Sequence, residues 1–113
     1  MELEEIQNKK NSIFVFESDE FGMHKNGNAN IARTFFGAEY GVGYGLKGRS
    51  YAIPTKDMFF EDLMESEIEF YVDQFIEFAK TKKRKTFYIS EFENKSVGEM
   101  FREKKLNKNI ILN

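Results

Sequence analysis

The stretch from Ile13 to Asp57, IFVFESDEFGMHKNGNANIARTFFGAEYGVGYGLKGRSYAIPTKD, constrains the fold of this chain more than any other part of it. Its opening run, Ile13 to Phe16, is apolar without interruption, which predicts a strand over Ser12 to Phe16 covered on both faces of a sheet. A polar loop with Gly22 and Gly27 follows, then a short helical pattern, a glycine-dense segment and a second strand. Strand, glycine loop and helix in that order bring backbone N–H groups to the carboxyl end of a strand, where open α/β sheets bind ligands. Gly41, Gly43, Gly45 and Gly48 alternate with Tyr40, Val42, Tyr44 and Leu46. Such spacing either frees φ for tight turns or clears Cβ atoms for close approach of a ligand. With no dinucleotide turn in its strand-to-helix setting and no phosphate loop of the G-x-x-x-x-G-K-[ST] type, ligand loop and plain connector stay equally open.

The remaining elements follow from periodicity. Asn28 is expected to cap a helix through Phe36, with Ile31, Ala32 and Phe35 inward and Gly37 as its stop. Ser50 to Ile53 reads as the second strand, ended by Pro54, which cannot donate to a ladder. Ile68, Tyr71, Val72, Phe75, Ile76 and Ala79 recur at helical spacing and predict a helix over Glu65 to Lys80. Thr86 to Ser90 reads as a strand, Ser96 and Glu99 as a capping box opening a helix to about Lys105, and Asn109 to Leu112 as a terminal strand. Strands alternating with helices predict a three-layer α/β/α sandwich with a mixed or mostly parallel sheet. At 113 residues this is one domain, 1–113, with residues 1–11 as a polar leader.

Thirteen Phe within a hydrophobic content of 41% indicate a Phe-rich core rather than disorder. The amino terminus carries acidic residues where a signal peptide needs positive charge, and no run approaches the ~20 apolar residues that span a bilayer. A cytoplasmic location without membrane attachment is therefore the expectation. The net charge of −2 exerts no global pull on nucleic acid. The basic run Lys80 to Lys85 is read as the complement of a helix dipole, and nucleic acid is disfavoured as a partner.

Without cysteine, and with His24 as the only histidine, thiolate or multi-histidine metal sites are ruled out, and no cofactor or metal is expected. His24 lies in the loop between Gly22 and Gly27, where a contact to a ligand and a plain hydrogen-bonding role compete. Glu17, Asp19 and Glu20 follow the first strand and Asp57 the second, so two strands deliver carboxylates toward one place, where capping, acid/base work and oxygen ligation of a divalent cation compete, with capping the commoner outcome. Ser18, Thr55 and Lys56 are the other polar candidates at strand ends, and Tyr44 is left open between packing and stacking on a base.

The wording of the stretch, FxSxExGxHxxGxAxxA followed by FGAxYGxGxGLxGxSYAIPTKD, resembles a family of small bacterial and phage proteins with a macro-domain-like fold. The resemblance covers Ile13 to Asp57 closely and Leu63 to Ser90 in pattern. It implies binding of ADP-ribose or a related nucleotide, with ligand contacts from Ser18, Gly22, Gly27, Asn28, Gly41, Gly43, Tyr44, Gly45, Thr55, Lys56 and Asp57. Were there turnover, it would be hydrolysis of an ADP-ribosyl linkage, with Asp19 or His24 positioning water. The chain departs from the family where Glu17, Ser18 and Asp19 replace Gly-Ser-Asn, and where Glu91 to Ser96 replaces a second glycine loop. Those departures motivate the alternative expectation, a non-catalytic protein-binding or structural protein, of a virion or inhibiting a host factor, with a protein partner or a second copy of itself.

Overall fold

β1 (Ser12–Asp19) is buried at every position, because strands flank it on both sides and helices cover both of its faces. The computed structural model describes residues 3–112; Met1, Glu2 and Asn113, the ends of the expected domain, lie outside them. Within that range the order is α1 (Leu3–Asn8), β1, α2 (Gly27–Phe35), β2 (Gly45–Lys47), β3 (Ser50–Lys56), α3 (Glu65–Thr81), β4 (Thr86–Ile89), α4 (Lys95–Glu103) and β5 (Ile110–Ile111). The sheet runs β2-β3-β1-β4-β5. β1 is parallel to β3 and β4, β4 is parallel to β5, and β2 alone is antiparallel, to β3. This is the expected α/β architecture with a mixed sheet.

Strand alternation divides the core in two. Ile13 and Val15 point to one face, where they meet Tyr51, Ile53 and Phe87 beneath α3 and α4. Phe75 is fully buried there and meets Tyr51, Phe87 and Phe101 with ring centroids 4.9, 5.4 and 5.9 Å away. Phe14 and Phe16 point to the other face, where α2 presents Ala29 and Ala32 so that large rings meet small side chains. Phe36 completes this side, stacked on Phe14 at 4.8 Å.

Several elements differ from the sequence expectation for identifiable reasons. Residues 3–8 of the expected leader form α1, whose Ile6 enters the second core. α2 is capped by Asn26, whose side chain accepts from Ala29 N–H at 2.7 Å, while Asn28 lies in the first turn. The face turned inward is the one with small side chains against Phe14 and Phe16, so Ala29, Ala32 and Phe36 are buried and Phe35 is exposed. Gly37 does end the helix, with φ of 81°. β3 continues through Pro54, since β2 pairs only as far as Ala52 and no neighbour on that side needs the missing N–H. α4 is capped by Asn94 rather than Ser96, and the glycine segment contributes β2, a short edge strand.

Arg49 ties the layers together at the amino-terminal edge of the sheet. Its guanidinium donates to the carbonyls of Ile6, Gln7, Lys9 and Ser12 and to the Ser12 hydroxyl. A side chain thus satisfies the orphan carbonyls at the end of α1. Arg49→Met is expected to lower unfolding free energy by roughly 2–3 kcal/mol and to accelerate amide exchange in residues 3–8 selectively, as read by denaturant melts and hydrogen-exchange mass spectrometry.

Candidate functional site

The connection leaving β1 passes beneath α2 on one face of the sheet, whereas that leaving β4 passes through α4 on the other. The carboxyl ends of these adjacent strands therefore diverge, which is where open α/β sheets form a ligand crevice. A cleft of about 350 Å³ occupies this region, lined by Glu17, Ser18 and Asp19 from β1, Lys25 and Asn26 before α2, Lys56 and Phe60 at the end of β3, and Glu93.

Glu17 organises the cleft floor. Its buried carboxylate accepts from the Thr55 hydroxyl at 2.5 Å, from Glu93 N–H at 2.8 Å and from Asn94 N–H at 3.3 Å. It thereby joins β1, β3 and the start of α4, with a negative charge at that helix's positive end. Asp19 is wired as completely, accepting from the backbone N–H groups of Phe21, Met23 and His24 at 3.0–3.1 Å. Both carboxylates direct their oxygens at backbone and hydroxyl donors of the protein itself.

His24 is almost fully buried at φ of 54°, against Phe16 and Tyr40. Its Nε2 lies 3.1 Å from the Val42 carbonyl, which can only accept, so Nε2 carries the proton; Nδ1 has no partner among the described residues. Burial depresses its pKa below the usual 6.5, partly offset by the Val42 carbonyl and the charge of Asp19, with Arg33 adding to the depression.

The five glycines read from sequence as ligand contacts divide into two groups. A Cβ on Gly22 would come within 2.5 Å of Val42 N, and one on Gly43 within 2.2 Å of the Asp19 carbonyl oxygen. These two glycines let the loop after β1 and the glycine segment pack backbone against backbone, with Gly41 N–H bonded to the Gly22 carbonyl. A Cβ on Gly27, Gly41 or Gly45 would meet nothing within 4 Å. Gly43, Gly45 and Gly48 do fall at G-x-G-x-x-G spacing, but the segment opens β2 and runs into β3 instead of opening a helix, so the dinucleotide turn is not formed.

Of the residues singled out from sequence, Ser18, Asp19 and Lys56 line the cleft, and Thr55 supports it through Glu17. Lys56 also pairs with Asp62 at 2.7 Å. Asp57 caps its own turn, accepting from Phe59 and Glu61 N–H. Tyr44 packs on Tyr51 and Tyr71, and Asn28 donates to the Glu91 carbonyl. Sequence reasoning missed Lys25, Asn26, Phe60 and Glu93. The N-cap pattern could have found Lys25 and Asn26, because the residues just before a helix after the first strand face its carboxyl end. Phe60 and Glu93 arrive from distant loops and left no such signal.

A larger groove of about 720 Å³ runs along β4, α4 and Leu112, but it contains none of the candidate ligand-binding or catalytic residues read from sequence. Among the described residues, no group of three or more His, Cys, Asp or Glu side chains is disposed to hold a metal ion, and no helix is long and apolar enough to cross a membrane. No protein-family model, curated protein or solved structure matches the chain.

The lowered pKa makes the unfolded chain bind a proton more readily than the folded one. Stability is therefore expected to hold above pH 6.5 and to fall as pH drops below it toward the depressed folded value; His24→Gln should flatten that dependence in urea melts across pH 5–8. Gly43→Ala is expected to lose more than about 2 kcal/mol of stability through the clash with residues 19–20, measured by thermal and urea unfolding.

Proposed function

We propose that the cleft at the carboxyl end of β1 binds a nucleotide of the ADP-ribose type. The observation that carries this reading is the convergence of Lys25, Lys56, Asn26 and the Phe60 ring around a cleft of about 350 Å³ at the crevice of the sheet. The lysines supply charge for a diphosphate, and Phe60 supplies a surface for a base. Lys25 Nζ lies 4.5 Å from the Phe60 ring centroid, a contact that an incoming base and phosphate would replace with one partner for each. Glu17 and Asp19 oppose this less than their charges imply, because their oxygens are directed at internal donors. The resemblance of Ile13 to Asp57 to macro-domain-like proteins supports both the ligand class and a macro-domain-like reading of the sandwich.

Binding is favoured over hydrolysis of an ADP-ribosyl linkage. Asp19 and His24, which would position water, hold the loop through backbone hydrogen bonds instead. The rival reading, a protein-binding module that kept the fold without the pocket, draws on the exposed tip Met58 and Phe59, the latter 73% exposed.

Calorimetric titration with ADP-ribose, with NAD and ADP as comparators, is expected to give saturable binding. Lys25→Ala and Lys56→Ala should each weaken it about tenfold, the loss of one charged contact of about 1.4 kcal/mol. Absence of heat from the folded protein would remove the nucleotide reading, and self-association in sedimentation that Phe59→Ser abolishes would put the rival in its place.

A further inference from the structure

We infer that the amino-terminal edge of the sheet, opposite the cleft, is a binding surface for the phosphate backbone of double-stranded nucleic acid. In sequence the basic run Lys80 to Lys85 reads as a helix-end complement, but the fold adds to it from two other loops. Thr86 N–H bonds to the Asn11 carbonyl at 3.0 Å, bringing Lys10 beside the α3–β4 loop. Asn109 donates through Nδ2 to the carbonyls of Ala79 and Lys82 and accepts from Phe87 N–H through its own carbonyl, bringing Lys108 to the same place. Lys10, Lys82, Lys83, Arg84 and Lys108 are all exposed, and none is in a salt bridge among the described residues. The dipole of α3 accounts for little of this, since its last turn already holds Lys80, paired with Glu77, and the run continues beyond the helix.

The carboxyl edge holds Glu17, Asp19, Asp57, Asp62 and Glu93 beside Lys25, Lys56 and Lys95, and β1, whose eight residues span about 26 Å, separates it from the basic loops. That is roughly three Debye lengths at physiological salt, which screens the exposed carboxylates of that end from the basic edge, while the buried Glu17 and Asp19 are held by internal donors. The basic loops present no exposed large apolar side chain. They therefore lack the anchors that a membrane surface or a protein interface core would use, and the aromatic platforms that stack unpaired bases. Phosphates in a regular duplex are the partner that this chemistry fits, without sequence preference.

The test is fluorescence anisotropy of the full chain with a labelled mixed-sequence duplex of about 20 base pairs, between about 50 and 200 mM salt. Binding is expected in the micromolar range at low salt, with a slope of log affinity against log salt of about −4 to −5. The double variant Lys83→Gln, Arg84→Gln should reduce that slope by about 2 and weaken binding at least about tenfold. Lys95→Gln, at the opposite edge, should leave binding unchanged; circular dichroism and urea midpoints check that both variants are folded. No duplex binding by the folded wild-type chain at low salt overturns the inference, as does equal loss in Lys95→Gln. Tighter binding to phosphatidylserine vesicles, or to single strands of equal length, would assign the edge to another partner and overturn it too.

Discussion

The buried carboxylate of Glu17 is the contact on which the carboxyl edge of this fold depends. It lies on the central strand, and its partners come from β3 and from the start of α4, segments separated from it by 38 and 76 positions in the chain. A carboxylate without partners in such a place would be strongly unfavourable, so the hydroxyl of Thr55 and the amides of Glu93 and Asn94 are required wherever Glu17 is buried. The same need works in reverse. Those amides open α4, and an internal carboxylate occupies the position at its amino terminus that an anion would otherwise favour. The cationic and aromatic part of the cleft lining therefore comes from the approach to α2 and from the end of β3, where Lys25, Lys56 and Phe60 stand.

Beside this knot, two glycines allow a second contact of a different kind. Gly22 and Gly43 permit main chain to lie on main chain, and Asp19 and His24 then lock the resulting loop pair through backbone hydrogen bonds. The glycine density that looks from the sequence like clearance for a ligand is, at these positions, clearance for another part of the same protein. Glycine at a crowded site reports only that backbone comes close. His24 reaches its left-handed conformation and its burial through this packing, and that burial is what depresses the pKa of its imidazole.

The parallel arrangement of β1, β3, β4 and β5 also sorts the ends of the helices. Helices that follow parallel strands return in the same sense, so their amino ends gather at the carboxyl edge of the sheet and their carboxyl ends at the other. Of α2, α3 and α4 only α3 opens with acidic residues, Glu65 and Glu67, and α4 opens with Lys95, so helix dipoles alone do not place the charges. The lysine-rich loops share one edge because the pairing of β1, β4 and β5 brings their connections together there.

The sequence by itself determined the class of the fold, because a four-residue apolar run, a helical stripe from Ile68 to Ala79 and a glycine stop at Gly37 are local signals, each set by periodicity or by φ at a single residue. It also marked the carboxyl ends of β1 and β3 as the place to look, and Ser18, Asp19 and Lys56 do line the cleft there. Finer points depended on neighbours that the local pattern does not contain. Whether Pro54 ends a strand depends on where β2 stops, and whether Gly43 faces a ligand or a backbone depends on a loop more than twenty residues away. Only the tertiary structure decided that Asp19 and Glu17 are tied to internal donors, that Phe60 and Glu93 belong to the cleft, and that Lys10 and Lys108 join the basic run. The physical reason is common to all of these: a partner for a buried charge, and the field of an exposed one, are set by distance in space, which the chain reveals only when its strands are paired.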